Sequence, residues 1–395
     1  MKHVSIVGIG MGAETVTREG YRAIEKADAL VGASRMLEPF VPLQKQAYGE
    51  YLPDRVADVV SGSAHRSFAV LVSGDTGFYS AAEGLAAALC DFDVTLIPGV
   101  SSLSYFFAKL NRPWQGAKLL SCHGREANLA DAVRRNRLTF ALTGKNMDTL
   151  AARLEDAGFG DLTATVGENL GAPDERILAL PVFKLRGAAV GPLAVLLVEN
   201  PGFDGRVRLG IPDGEFLRGG VPMTKSEVRA VTLSKLSLRP DAVCCDVGAG
   251  TGSVTVEMAL CVHEGRVFAI DKNEEAIALV RENCRAFHIG NVFPVLGSAP
   301  DALEGLPRLD AAFIGGSGGD MGGIVSALLS NNPQIRIVIN AIALESAAAA
   351  IDAFKRNNLQ PEIVQVGCAR ARAAGGLHMM TAENPVFVIS GGGHE

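Results

Sequence analysis

The chain has 395 residues, 48% of them hydrophobic and 20% charged, with a formal net charge of -6. That length exceeds one ordinary core, so two domains are expected; the acidic balance argues against a nucleic-acid binder, which needs a broad basic surface, and no run of eighteen apolar residues offers a membrane span. Seven cysteines without CxxC spacing and seven histidines with no i, i+4 pair predict reduced thiols and no metal site.

The start Met1-Lys2-His3-Val4 runs directly into a strand and carries no signal-peptide pattern, so a cytoplasmic location is expected. The strand, Val4 to Val7, ends in Gly8-Ile9-Gly10-Met11-Gly12, a turn of the kind that lets backbone approach a ligand closely. A helix from about Thr15 to Lys26 leads to Ala29-Leu30-Val31-Gly32, which ends in glycine where a nicotinamide-binding unit usually carries a ribose-binding acid. The apolar strand Phe68 to Val72 delivers Ser73-Gly74-Asp75-Thr76-Gly77 into a second turn, with a helix through about Leu89 behind it. Asp75 can equally be a simple turn cap. Strand Val94 to Ile97 ends in Pro98-Gly99-Val100-Ser101-Ser102, followed by a helix to Leu110 and a break at Arg112-Pro113-Trp114. Three strands thus carry polar, glycine-containing turns to the carboxyl edge of a sheet, where open α/β folds bind ligands.

In this order the turns Gly8-Gly10-Gly12, Gly74-Asp75 and Pro98-Gly99-Val100-Ser101 resemble those of the tetrapyrrole methylase family, over roughly residues 1 to 200. Trp114, Ser121-Cys122-His123-Gly124-Arg125, and Gly167-Glu168-Asn169-Leu170-Gly171 followed by Pro173-Asp174-Glu175-Arg176-Ile177 resemble the branch that methylates carbon 5 of a precorrin. Thr76 departs from that pattern, standing where many relatives carry proline. The resemblance implies two α/β subdomains, about 1–113 and 114–203, with S-adenosylmethionine rather than NAD in the cleft between them. It implies Gly8, Gly10, Gly12, Gly74, Asp75, Ser101 and Ser102 as cofactor contacts. His123 is a candidate proton acceptor and Arg125 a candidate carboxylate anchor, although a histidine at a strand end is also a common structural residue. Between Arg112 and Arg137 six basic residues face two acidic ones, a balance suited to a polycarboxylate.

The stretch Glu199-Asn200-Pro201-Gly202-Phe203-Asp204-Gly205 is rich in turn formers and predicts a junction between domains 1–203 and 204–395. From Arg206 to Arg239 seven basic residues outnumber three acidic ones, which suits a small polyanion or a solvated face. Thr224 and Glu227 have capping-box spacing. Lys225 and Arg229 lie i, i+4 on one helical face and can meet an anion together. The buried strand Ala242-Val243-Cys244-Cys245 then ends in Asp246-Val247-Gly248-Ala249-Gly250-Thr251-Gly252, and Asp271 closes the next strand, where a carboxylate can accept hydrogen bonds from a ribose. Helices to about Val262 and from Asn273 to about Phe287 alternate with strands at 243–246, 267–271, 292–296, 311–314 and 335–340, predicting a parallel doubly wound sheet. Two late strands, about 363–366 and 386–389, are expected as an antiparallel hairpin at the sheet edge.

Pro-Met-Thr-Lys (222–225), the glycine turn, Gly-Ser-Ala-Pro (297–300) and Ile-Gly-Gly-Ser-Gly-Gly (314–319) resemble a class I precorrin methyltransferase that acts at carbon 15 and decarboxylates the carbon 12 acetate. By that resemblance Thr224, Gly248, Ala249, Gly250, Thr251, Gly252, Asp271 and Ala299 line a second S-adenosylmethionine site. Ser298 replaces an acid often seen there. Together the halves imply a cobalamin-route C-methyltransferase, α/β throughout, acting on a polycarboxylate tetrapyrrole. Lys225, Arg229, Arg370 and Arg372 are candidate substrate contacts, and Glu345 and His378 are candidate proton donors for the decarboxylation. A homo-oligomer is expected. A class I RNA methyltransferase, a dehydrogenase, a cobalt-precorrin version and a non-catalytic tetrapyrrole carrier are the alternatives.

Overall fold

The computed structural model describes residues 1–124, 127–206 and 208–393. Two compact units emerge: Met1–Arg125 with Arg137–Thr149 and Leu162–Asn200, and Pro201–Glu395 with Glu126–Asn136 and Leu150–Asp161. Arg125, a candidate substrate anchor, lies outside the described residues.

In the first unit the apolar runs form strands β1 (His3–Gly8), β2 (Ala29–Val31), β3 (Gln46–Tyr48), β4 (Ser67–Val72) and β5 (Asp93–Ile97). They pair in the order β3-β2-β4-β1-β5, all parallel. Burial of β1 and β4 on both faces explains their unbroken apolar character. The first helix begins at Arg18 rather than Thr15, because the Thr17 hydroxyl accepts from Gly20 N at 3.0 Å while Ala13–Thr15 forms a separate 3-10 turn. A second sheet starts after the Arg112–Trp114 break. It contains β6 (Ala117–Ser121), β7 (Leu138–Leu142), β8 (Thr163–Glu168), β9 (Arg176–Pro181) and β10 (Ala194–Glu199) in the order β6-β7-β10-β8-β9. Only its β6–β7 pair is parallel.

The second unit is built on β11 (Val243–Val247), β12 (Arg266–Asp271), β13 (Val292–Leu296), β14 (Ala311–Ile314), β15 (Arg336–Ala341), β16 (Glu362–Val366) and β19 (Val386–Gly391). The order is β13-β12-β11-β14-β15-β19-β16, parallel as far as β15 and antiparallel beyond. Successive residues of β11 serve opposite faces: Cys244 packs with the helices 226–236, 253–261 and 274–286, and Cys245 with those at 321–331 and 344–356. Desolvation drives both thiols well above their ordinary range, so they act as small apolar side chains.

The two late strands pair as expected, but β19 lies inside the sheet between β15 and β16. The chain between them forms an additional pair, β17 (Ala369–Ala374) with β18 (Leu377–Ala382). Its two-residue turn is Gly375-Gly376, with φ of 53° and 85°, as a type I′ hairpin requires.

A buried ion pair holds the segment leading into this unit. Arg229, fully buried, donates to Glu257 Oε1 through Nε at 2.5 Å, to Thr224 O through Nη1 and to Ile211 O through Nη2. Glu257, equally buried, accepts from Gly210 N at 2.8 Å and Ile211 N at 2.9 Å. Removing one member strands the other charge in the core, so Arg229→Met is expected to destabilise the second unit by about 3–5 kcal/mol. Equilibrium urea unfolding checks this, and the Arg229→Met, Glu257→Leu double variant is expected to recover most of the loss; an additive double variant would contradict it.

Candidate functional site

In the first unit the turns after β1, β4 and β5 meet backbone to backbone. A Cβ on Gly8 would lie 2.7 Å from Gly74 O, and one on Gly99 would lie 2.2 Å from the same oxygen. Gly10 and Gly74 exchange N–H···O bonds of 3.0 and 2.9 Å. Asp75 fastens the arrangement, accepting from Gly77 N at 2.8 Å with one oxygen and from Gly99 N at 3.1 Å with the other. The Ser101 hydroxyl caps the helix Ser102–Lys109 through Ser104 N at 3.1 Å.

Above this floor lies a cavity of about 720 Å³. Gly74, Asp75, Ser101, Ser102 and His123 line it, His123 at an exposed position. Gly8, Gly10 and Gly12 do not; of that turn only Met11 reaches the wall. The first two serve contact between turns rather than the wall itself. The sequence reading missed Arg35, Phe78, Tyr79 and Pro192 to Val195. Arg35 could have been sought as a cation soon after the second strand, but a lone exposed arginine carries no local signal.

In the second unit the glycine turn is packed from two sides. Gly248 has φ of 76° and a Cβ there would meet Gly316 N at 2.7 Å; at Gly250, φ 55°, it would meet Pro222 O at 2.7 Å. Asp271 accepts from Gly250 N at 3.0 Å and from Asn273 N at 2.9 Å, so it braces the turn. The neighbouring cavity, about 530 Å³, is lined by Thr224, Lys225, Gly248, Ala249 and Thr251 together with Ser317, Asn340, Cys368, Glu383 and Asn384. Gly250, Gly252, Asp271 and Ala299 lie outside that lining. The buried Thr251 Oγ1 has no hydrogen-bond partner, leaving a polar atom available beside the cavity.

Several expectations are corrected here. Lys225, not Thr224, occupies the cap of the helix Ser226–Leu236, and no side chain caps it; Glu227 turns instead to Arg370. Arg229 cannot meet a substrate, because it is buried and its donors are used within the protein. Arg370 is likewise occupied, by Glu227, Asp213 and Ser226. These partners, led by Glu227, hold its guanidinium above the ordinary range. Lys225 lies 3.8 Å from Asp213 and still faces the cavity. Arg372 and His378 sit exposed on the β17–β18 hairpin, and Glu345 is exposed in the first turn of the helix Leu344–Arg356; none of the three lines the cavity. Among the described residues no cluster of three or more His, Cys, Asp or Glu side chains could hold a metal ion, and no helix is long and apolar enough to cross a membrane.

Residues 3–185 match the family described as tetrapyrrole (corrin/porphyrin) methylases, and residues 215–391 match the precorrin methyltransferase domain. The chain is similar to a Sinorhizobium precorrin-6Y C(5,15)-methyltransferase (decarboxylating), 31% identical over 98% of this chain and 95% of that protein. It is also similar to a probable cobalt-precorrin-6B C(15)-methyltransferase (decarboxylating) of Pyrobaculum calidifontis, 45% identical over 46% of this chain and 94% of that one. A solved precorrin-6y C5,15-methyltransferase structure from Geobacter metallireducens is 36% identical, covering 47% of this chain and 97% of its own, with a TM-score of 0.45. Two α/β units, each with a cavity beside a glycine-rich turn, and the two domain matches define a fused pair of methyltransferase domains. The chain belongs to the decarboxylating precorrin-6Y C(5,15)-methyltransferase family.

The first residue of the glycine turn has its own pH signature. Full burial, reinforced by the charge of Asp271 and opposed by the Thr255 hydrogen bond, pushes the Asp246 carboxyl from 3.8 to about 7. Between those limits the folded state holds a proton that the unfolded chain releases, so stability falls as pH rises through 3.8 to about 7 and is level above. Asp246→Asn is expected to remove a slope of up to about 1.4 kcal/mol per pH unit. Urea unfolding at pH 5 and pH 8 checks this; an unchanged difference between the two would count against it.

Proposed function

We propose that this enzyme uses S-adenosylmethionine to methylate precorrin-6Y at carbons 5 and 15 and releases the carboxyl of the carbon 12 acetate as carbon dioxide, giving precorrin-8X in cobalamin biosynthesis. The observation that carries the reading is the presence, in one chain of that family, of two separate cavities, each beside a glycine-rich turn at the carboxyl edge of its own parallel sheet. Carbons 5 and 15 lie on opposite sides of a large macrocycle, and one rigid site cannot readily align both with a methyl donor. In the proposed division, domain 1–203 serves carbon 5, and domain 204–395 serves carbon 15 and the decarboxylation.

Both cavities are of the size that small-molecule ligands fill. S-adenosylmethionine supplies an activated methyl group and its own leaving group. In the first cavity Gly74, Asp75, Ser101 and Ser102 would hold it, on a floor made by Gly8 and Gly10, with Gly12 retained from the family resemblance. In the second, Thr224, Gly248, Ala249 and Thr251 form the wall, Gly250 and Gly252 shape the turn, and Ala299 is retained from the family resemblance. Asp271, at the end of β12, keeps lone pairs that two backbone N–H groups leave unused and can reach a ribose. The protein's contribution to each transfer is alignment and exclusion of water.

Arg35 is the substrate anchor proposed for the first cavity. It lines the wall with no hydrogen bond or ion pair among the described residues, whereas Lys109, Arg112 and Arg176 of the same unit are paired with Glu175, Glu199 and Glu168. A guanidinium fork suits the carboxylates of a tetrapyrrole. His123 stands at the same wall, and Lys225 is the corresponding cation in the second cavity. A cytoplasmic location goes with this reading.

With labelled methyl donor and precorrin-6Y, Asp271→Ala is expected to cut carbon 15 methylation at least about 100-fold and leave carbon 5 within about twofold. Arg35→Ala is expected to do the reverse through a raised KM at carbon 5. Mass and NMR analysis of the product assign each methyl; equal losses at both carbons in either variant contradict the division. Parallel reactions with the cobalt-containing ring identify the preferred form.

Self-association is the proposed role of the β17–β18 pair. A two-stranded ribbon is marginal alone, and this one exposes Leu377, Met379 and Met380, each more than half accessible, beside unpaired edges. A second copy of the same ribbon offers matching edges and apolar side chains. Light scattering is expected to show an oligomer that Leu377→Asp with Met379→Asp reduces to monomer; a monomeric wild-type chain would exclude it.

A further inference from the structure

The second cavity contains three titratable side chains, Lys225, Cys368 and Glu383. Glu383 follows β18 and precedes β19, half-buried where the hairpin returns to the main sheet. Its backbone N–H donates to Cys368 O at 2.9 Å, which ties together the two ends of the β17–β18 hairpin. Neighbouring acids are committed elsewhere: Asp213 and Glu227 to Arg370, Glu257 to Arg229, and Asp271 to backbone N–H groups. The Glu383 carboxyl has no partner among the described residues. Among the described residues it is the one carboxyl group in the lining, whereas Glu345 and His378 lie outside it.

We propose that Glu383 is the proton donor of the decarboxylation, an inference that rests on the function proposed above. The bond between the acetate methylene and its carboxylate carbon breaks, carbon dioxide leaves, and the electron pair passes into the conjugated ring. The Glu383 carboxyl then delivers its proton to the methylene carbon, completing a methyl group, and the resulting carboxylate regains a proton from water at the cavity mouth. Lys225, across the same cavity, can neutralise a substrate carboxylate that is not lost.

The test uses the full chain with precorrin-6Y and S-adenosylmethionine, following carbon dioxide release and product mass. Glu383→Gln is expected to slow carbon dioxide release about 100-fold or more, keep carbon 15 methylation within about threefold, and accumulate a methylated product that retains the carboxyl. Glu383→Asp should fall between the two. Calorimetric binding of S-adenosylhomocysteine, unchanged in Glu383→Gln, shows that the variant is folded. Glu345→Gln and His378→Asn, which lie outside the cavity, should release carbon dioxide at the wild-type rate. The proposal is overturned if Glu383→Gln also does so, if methylation and decarboxylation fall together, or if Cys368→Ser shows the selective loss. A wild-type chain that methylates but releases no carbon dioxide would instead sink the functional reading itself.

Discussion

The Arg229–Glu257 pair is the constraint on which the second site depends. Both groups are buried, so each requires the other and a full set of hydrogen bonds to be tolerated in the core. Those bonds reach the backbone of Gly210, Ile211 and Thr224, and the guanidinium stacks 4.8 Å from the Phe216 ring centroid. A segment with little regular structure is thereby fixed against the sheet. Its end, Pro222 to Lys225, becomes a cavity wall, and Pro222 O can approach the turn because Gly250 has no side chain. Asp213 extends the network to Arg370 on the hairpin. The cavity wall, lead-in segment and hairpin are therefore parts of one electrostatic assembly.

The two units solve a similar local problem with the same chemistry. In each, a strand ends in a glycine-rich turn whose backbone must be held without Cβ atoms in the way. In each, one aspartate supplies the brace: Asp75 joins Gly77 to Gly99, and Asp271 joins Gly250 to Asn273. A carboxylate can accept several N–H bonds at once, which suits it both to ordering a turn and to facing a polar ligand. The turn-capping and ligand-binding readings of Asp75 are thus compatible. The sheets themselves differ, since the first unit adds a largely antiparallel second sheet and the second keeps one sheet with an antiparallel edge.

The basic stretch from Arg206 to Arg239 shows how charge counts mislead about ligands. Arg206 pairs with Asp204, Arg208 with Glu215, Arg229 with Glu257 and Arg239 with Asp241. Lys225 alone of that group lines the cavity. Local excess of one sign measured composition, while the availability of each cation was decided by which acid the fold brought beside it.

The strands that carry the three glycine-bearing turns of the first unit and the strand-helix alternation of the second were legible in the sequence, because apolar periodicity and turn chemistry act over a few residues; β3 and the strands β6 to β9 were not expected. The β17–β18 pair was not expected: Gly375-Gly376 is a local turn signal, but Ala369 to Ala374 carries no apolar alternation to mark a strand before it. Tertiary structure alone decided that Arg229 and Arg370 are structural, that Gly8 and Gly10 form floor rather than wall, and that Arg35 and Glu383 face cavities. Burial and pairing depend on residues tens to more than a hundred positions away, such as Glu227 for Arg370. Local sequence determines where the chain turns; the packed fold determines which charges remain for a ligand.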